Sequence, residues 1–184
     1  MSNTDVKSDN NPTSHTDTKG DFIRWESQFR HWITADGSAG PSGSDGFKAE
    51  ANRYHLYVSS ACPWAHRTLI FRSLKKLEKI IGVSVVHPKM GPDSWHFDDS
   101  FPGATKDHVN GFSMLQETYQ KALNSFKGVV TVPVLWDKSS NSLVNNESSE
   151  IIRMLNSAFG AFTDCKTDYY PPSLQTAIDS VNDE

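Results

Sequence analysis

The chain has 184 residues, enough for one domain of ordinary size with extensions, and a formal net charge of −4. That mild acidity argues against a nucleic-acid binder built on a basic stripe, no apolar run is long enough to span a membrane, and the opening MSNTDVKSDN has neither a signal-peptide nor a transit-peptide layout. Its two cysteines, Cys62 and Cys165, are too few for a disulfide framework, so a reducing compartment, the cytoplasm, is expected.

Residues 1–20 are Ser, Thr, Asn, Asp and Lys with almost nothing to bury, and are expected to be a disordered tail. An arm and loop follow over 21–52. In FIRWESQFRHWI (22–33), Phe22, Trp25, Phe29 and Trp32 fall at steps of three and four, which suits a short amphipathic helix or an extended arm. TADGSAGPSGSDG (34–46) reads as a loop. The folded domain is expected over 53–160. RYHLYV (53–58) alternates and is β-rich, so it predicts a strand. From Pro63, Ile70, Leu74, Leu77 and Ile81 recur at helical spacing, with Arg72, Lys75, Lys76 and Lys79 as the solvated face and Gly82 at the end. VSVVHP (83–88) predicts a second strand, and a β-helix-β unit of this length implies parallel strands. MGPDSWHFDDSFPG (90–103) is a loop of functional size.

GFSMLQETYQKALNSF (111–126) predicts a helix with Met114, Leu115, Tyr119 and Leu123 on one face. VVTVPVLWDKSSNSLVNN reads as a hairpin, one strand through VPVLW, a DKSSN turn and a second strand through SLVN. ESSEIIRMLNSAF (147–159) predicts a helix with Ile151, Ile152, Leu155 and Phe159 inward. Residues 161–184 read as a linker and the start of another helix after Pro171-Pro172. The order β-α-β-α-β-β-α is that of an α/β, thioredoxin-like fold.

The joint between the first strand and its helix carries Cys62-Pro63-Trp64-Ala65. Proline suits the first helical position, which makes Cys62 the N-cap. There the sulfur would meet unpaired backbone N–H groups and the positive end of the helix dipole, and both favour the nucleophilic thiolate. Ala65 stands where a dithiol pair would have its second cysteine, so a group attached to Cys62 must be released by an external thiol, glutathione in a cytosol. The plainer reading is a small buried hydrophobe at a helix start. Val132-Pro133 precedes a strand. In this fold order the bond is expected to be cis, with the Val132 N–H and C=O facing outward to pair with an extended peptide such as glutathione; alone, the dipeptide suits a trans proline opening an edge strand. Asn146-Glu147-Ser148-Ser149-Glu150 opens the last helix. Capping chemistry accounts for it, and compatibly with that the Ser148 N–H and hydroxyl could hold the carboxylate of a γ-glutamyl group at the helix N-terminus while Glu147 takes its ammonium.

FRHWI (29–33), RYHLYVSSACPWAHRTLI (53–70), IGVSVVHP (81–88), SWHF (94–97), VTVPVLWDKSSNSLVNNESSEIIRMLN (130–156) and DYYP (168–171) together resemble the Xi class of glutathione transferases, the glutathionyl-hydroquinone reductases. The resemblance implies a cysteine-type enzyme that reduces glutathionyl-hydroquinones to hydroquinones through a mixed disulfide. In it Cys62 would be the nucleophile, Trp95 would pack near glutathione, and Val132, Pro133, Glu147 and Ser148 would bind its backbone and γ-glutamyl end. It implies glutathione as co-substrate, quinone-type small molecules as partners, no metal and a homodimer for full-length members. A basic residue expected just before VTVPV is replaced by Val129. Members continue into an all-helical C-terminal domain, so ending at Glu184 reads as truncation inside its first helix. The rival expectation is therefore a thioredoxin-like binding module that holds glutathione or a partner without turnover.

Histidines 55, 66, 87, 96 and 108 show no ligand spacing of the usual kind. His66 reads as a solvated helix residue, Cys165 as an incidental exposed thiol, and Trp136, Phe71 and Tyr119 as core.

Overall fold

The computed structural model describes residues 27–43, 46–92 and 94–182. The expected disordered tail, with Phe22 and Trp25 of the apolar stripe, lies outside the described residues. In chain order the elements are β1 (Ile33–Thr34), β2 (Phe47–Lys48), β3 (Tyr54–Ser59), α1 (Pro63–Leu74), β4 (Gly82–Val86), α2 (Leu115–Ala122), β5 (Val134–Asp137), β6 (Ser142–Asn145), α3 (Ser148–Ser157) and α4 (Gln175–Asn182).

The main sheet runs β4-β3-β5-β6. β3 and β4 are parallel, as the β-helix-β spacing requires, while β5 is antiparallel to both β3 and β6. From β3 onward the order is the expected one, and the domain is thioredoxin-like. Every residue of β3 is buried. Tyr54, Leu56, Tyr57, Val58, Val134, Leu135, Trp136 and Val144 fill the core with Ile151, Met154 and Leu155 of α3. Helices α1 and α3 pack on one another, and α2 packs on β6.

The described part of the 22–33 segment is extended. Arg30 bridges to Asn145 in antiparallel fashion, and the His31 N–H donates to the Val144 carbonyl at 3.0 Å. Two-residue strands β1 and β2 pair in parallel, Ile33 opposite Phe47. They are too short for periodicity to reveal.

Helix α1 ends seven residues before Ile81, where the apolar spacing had carried it. Lys76 takes a left-handed backbone, φ 54°. The Leu77 N–H donates to the Arg72 carbonyl and the Lys76 N–H to the Ser73 carbonyl, both at 2.9 Å. This is a Schellman stop with lysine where glycine is usual, so no glycine announces it. Leu77 and Ile81 are buried beyond the helix, whereas Ile70 and Leu74 stand 43% and 42% exposed. The small residues Ala65 and Thr68 form the buried face instead. The basic run is not a solvated face throughout. Arg72 donates to the Ile81 and Glu78 carbonyls at 2.7 and 3.0 Å, and buried Lys75 donates to the Thr167 carbonyl at 2.6 Å.

Helix α2 is shorter than the 111–126 expectation. Gly111 has φ 71°, and Glu117 reaches back to accept the Ser113 and Met114 N–H groups at 3.0 and 2.9 Å, which fixes the start at Leu115. Leu123 leaves the helix with φ −144° and is exposed.

Asp137 and His55, buried polar groups of the sheet, are paired, whereas the buried Trp136 Nε1 has no hydrogen-bond partner. Asp137 takes Arg53 on both oxygens, at 2.9 and 2.7 Å, together with the Ser139 N–H and the Ser140 hydroxyl. His55 lies 2.8 Å from the Ser84 hydroxyl through Nε2. On its other side a Cβ at Gly82 would come within 2.6 Å of Nδ1, so the close approach of β4 requires glycine there.

Burial pushes His55 down to about 4, against the opposing pull of the Asp107 carboxylate. The unfolded chain takes up that proton near about 6.5. Stability is therefore full above that value and is lost as pH falls from it toward 4, by on the order of 2–3 kcal/mol. Urea unfolding across this window is expected to show that slope, and His55→Gln to flatten it. An unchanged slope in the variant would refute the assignment.

Candidate active site

The strand-helix joint is built as the sequence requires. After Ser59 the chain turns through Cys62 N–H to Ser59 carbonyl at 3.2 Å and Ala61 N–H to Ser59 Oγ at 3.3 Å. Cys62 is the N-cap of α1, with φ −99° and ψ 113°, and Pro63 opens the helix. The thiol is free and half-buried. The sulfur takes no capping hydrogen bond from the helix N–H groups. It instead points across to Val132, donating to the carbonyl at 3.5 Å.

The Val132–Pro133 peptide is cis, as expected from the fold order. β5 begins at Val134, so Val132 lies before the ladder. Its carbonyl does not face outward as anticipated. It is aimed at Cys62, and the residue is 6% exposed. The segment is held from behind by Tyr119 of α2. The Tyr119 hydroxyl donates to the Thr131 carbonyl at 2.9 Å and accepts the Thr131 N–H at 3.3 Å. Asn146 donates to that same hydroxyl at 3.3 Å and to Thr131 Oγ1 at 3.2 Å. Tyr119 thus joins the turn before Val132 to the residue before Glu147. Its apolar spacing on α2 marked it as core, and nothing local marks the hydroxyl's role.

At the start of α3 the N-cap is Glu147. Its carboxylate accepts the Ser149 N–H at 3.2 Å, the Ser149 hydroxyl at 3.1 Å and the Ser27 hydroxyl at 3.1 Å. Capping is realised here. Ser148, the first helical residue, is buried, and Glu147 is half-buried. The arm closes on this corner through reciprocal bonds between Phe29 and Asn146, at 3.2 and 3.3 Å. Trp95 is half-buried on the loop between β4 and α2, and its carbonyl accepts the Leu115 N–H at 2.9 Å. The structure thus brings Cys62 and Val132 together directly, links Val132 to Glu147 and Ser148 through the Thr131–Tyr119–Asn146 bonds, and places Trp95 on a separate loop.

His66 is exposed on α1, as a solvated histidine should be. Cys165 is half-buried, not an open thiol, and donates to the Leu74 carbonyl at 3.3 Å, closing the end of α1. The chain also brings together histidines whose spacing gave no signal. One ligand atom each from His87, His96 and Asp98 lies within 4.8 Å of the others.

A family model described as glutathione S-transferase, N-terminal domain, matches residues 61–158, from just before Cys62 to the end of α3. The chain belongs to this family. Among its relatives is the glutathionyl-hydroquinone reductase YqjG of Escherichia coli, 58% identical over 165 residues, 90% of this chain and 50% of that protein. The glutathione-bound structure of YqjG superposes with a TM-score of 0.82, covering 84% of this chain and 50% of the other. The glutathionyl-hydroquinone reductase PcpF of Sphingobium chlorophenolicum is 46% identical over 172 residues, 90% of this chain and 50% of that one. The structure of glutathione-S-transferase Xi from Phanerochaete chrysosporium matches with a TM-score of 0.81 at 49% identity, covering 88% of this chain and 53% of that one. The chain spans about half the length of the curated relatives it matches. The Xi-class resemblance read from the motifs is therefore correct. Among the described residues no helix is long and apolar enough to cross a membrane.

Tyr119→Phe removes one hydroxyl and leaves the Thr131 N–H and the Asn146 amide short of an acceptor. The expected loss is about 1–3 kcal/mol of unfolding free energy, with faster hydrogen exchange at Thr131. A variant of unchanged stability and exchange would show that the hydroxyl does not organise this turn.

Proposed function

We propose that this chain carries the glutathione half of a glutathionyl-hydroquinone reductase site, with Cys62 as nucleophile. The observation that carries this reading is the half-buried Cys62 sulfur at the N-cap of α1, set 3.5 Å from the Val132 carbonyl. The nucleophile and the main-chain segment proposed to bind the peptide thus share one face. Glutathione aligned along Val132, ahead of Pro133, would place its sulfur against Cys62 by main-chain pairing of the added-strand kind. Ionised, the sulfur is released from its donor role toward Val132 and is stabilised by the N–H groups and dipole of α1.

In the first step the Cys62 thiolate attacks the glutathione sulfur of a glutathionyl-hydroquinone. A sulfur–sulfur bond forms and the carbon–sulfur bond breaks. The electron pair leaves on the aromatic carbon, which takes a proton, and the hydroquinone departs. In the second step a glutathione thiolate attacks the glutathione sulfur of the mixed disulfide, giving oxidised glutathione and regenerating Cys62. The substrate is reduced by two electrons and two glutathione sulfurs are oxidised. Ala65 leaves no second thiol within the motif, which makes the external glutathione necessary. A reducing compartment, the cytosol, supplies it in this reading.

Glu147 is assigned to the γ-glutamyl ammonium, and Ser148, through its backbone N–H at the first position of α3, to the carboxylate. Trp95 is assigned to packing against glutathione, and Pro133 to holding the Val132 main chain. The second reading, a binding module without turnover, draws on apolar residues left open, Ile70 and Leu74 on α1 and, separately, Leu174 and Val181, which are 52% and 73% exposed.

Mass spectrometry of the chain mixed with a glutathionyl-hydroquinone, then with excess glutathione, tests the proposal. Cys62 is expected to gain one glutathione as hydroquinone appears and to lose it again, and Cys62→Ser to abolish the adduct. Absence of the adduct, while a disulfide donor still glutathionylates Cys62, would favour the binding module.

A further inference from the structure

We propose that His87, His96 and Asp98 form a binding site for a divalent transition ion of the zinc type, independent of the thiol chemistry at Cys62. Histidine nitrogen and carboxylate oxygen are the donors such ions take, and one from each residue already lies within 4.8 Å of the others. Zinc bonds to these donors are about 2.0–2.2 Å long, which sets tetrahedral ligands about 3.4 Å apart. The three groups must therefore close by about an ångström, a matter of side-chain rotation. All three are half-buried.

The backbone already holds the ligands in place. The His87 N–H donates to the His96 carbonyl at 2.8 Å, which joins the end of β4 to the loop. His96 bridges to Met114 in antiparallel fashion, and the Phe97 N–H donates to the Ser113 carbonyl at 2.9 Å. On an extended segment, residues two apart share a face, and this brings His96 and Asp98 to one side. The two rings stack at 4.7 Å with planes 17° apart, and Phe101 packs edge-on against His87 at 4.6 Å.

The groups behind the ligands are also suited to a metal. His87 Nδ1 lies 3.1 Å from the Lys89 carbonyl. A ring that donates Nδ1–H there presents the Nε2 lone pair, the arrangement that orients metal-bound histidines. The Lys89 N–H approaches the same Nδ1 at 3.1 Å and serves the other tautomer. Asp98 Oδ1 is held by the Ser100 N–H at 3.0 Å and the Ser100 hydroxyl at 2.6 Å, while Oδ2 takes neither bond. Two nitrogens and one oxygen suit zinc, cobalt, nickel or cupric ions, and not the all-oxygen demand of magnesium or calcium. Trp95 directly precedes His96, so a bound ion would clamp the loop that carries Trp95 to the end of β4.

Calorimetric titration of the untagged, chelator-stripped chain with zinc chloride tests the site. One ion per chain is expected. His96→Gln and Asp98→Asn should each weaken binding at least tenfold. Replacing both thiols, Cys62→Ser with Cys165→Ser, should change it less than twofold. In the unmodified chain the ring nitrogen resonances of His87 and His96 should shift on adding zinc, which decides the matter if a ligand variant misfolds. No saturable binding, equal affinity in both ligand variants, loss in the cysteine variant, or shifts on other histidines would each overturn the proposal.

Discussion

The structure depends on the complete burial of β3. A strand with no solvent-facing side must bring its own polar groups to partners or lose free energy for each one left unpaired. His55 meets Ser84, the Tyr57 hydroxyl donates to Asp107 at 2.9 Å, and the Tyr54 hydroxyl donates to the Lys48 carbonyl. Each bond reaches a different neighbour: β4, the loop before α2, and β2. Satisfying one strand therefore fixes the placement of three other segments. β3 also has β4 parallel on one edge and β5 antiparallel on the other, so its C-terminal end delivers Cys62 opposite the start of β5.

The site inherits its geometry from that placement. Cys62 arrives by way of β3 and α1, and Val132 by way of β5. Their separation is set by the pairing of β3 with β5 and not by any local contact. The Tyr119 hydroxyl then adds α2 and the corner before α3 to the same unit. Three elements distant in sequence meet at one buried oxygen, and burial holds its proton firmly by raising it above the ordinary phenol value. A neutral, fully engaged hydroxyl is a positional device, well suited to holding the Thr131 main chain in place.

Much of this was legible in the sequence, and the particular failures have particular causes. Alternation in RYHLYV and the Cys-Pro step gave β3, the N-cap and the start of α1 to within a residue, because both rest on local backbone chemistry. The end of α1 was misread because a lysine occupies the left-handed stop, and only the closing bonds to Arg72 and Ser73 reveal it. Arg72 and Lys75 looked solvated because charge is read as exposure, yet their long side chains reach back to loop carbonyls. The arm was ambiguous between helix and extended chain, and pairing with β6 decided for the latter. Strands β1 and β2 had no periodicity to show.

The sequence by itself determined the element order from β3 onward, the cysteine at a helix start and the resemblance to the Xi class. These follow from spacing and from residue types whose backbone preferences act over a few positions. Only the tertiary structure decided that the Cys62 sulfur faces the Val132 carbonyl, that Tyr119 ties Thr131 to Asn146, and that His87, His96 and Asp98 converge. Such contacts join residues far apart along the chain. They exist because strand pairing and burial bring those segments together, and periodicity along one segment does not encode where another will lie.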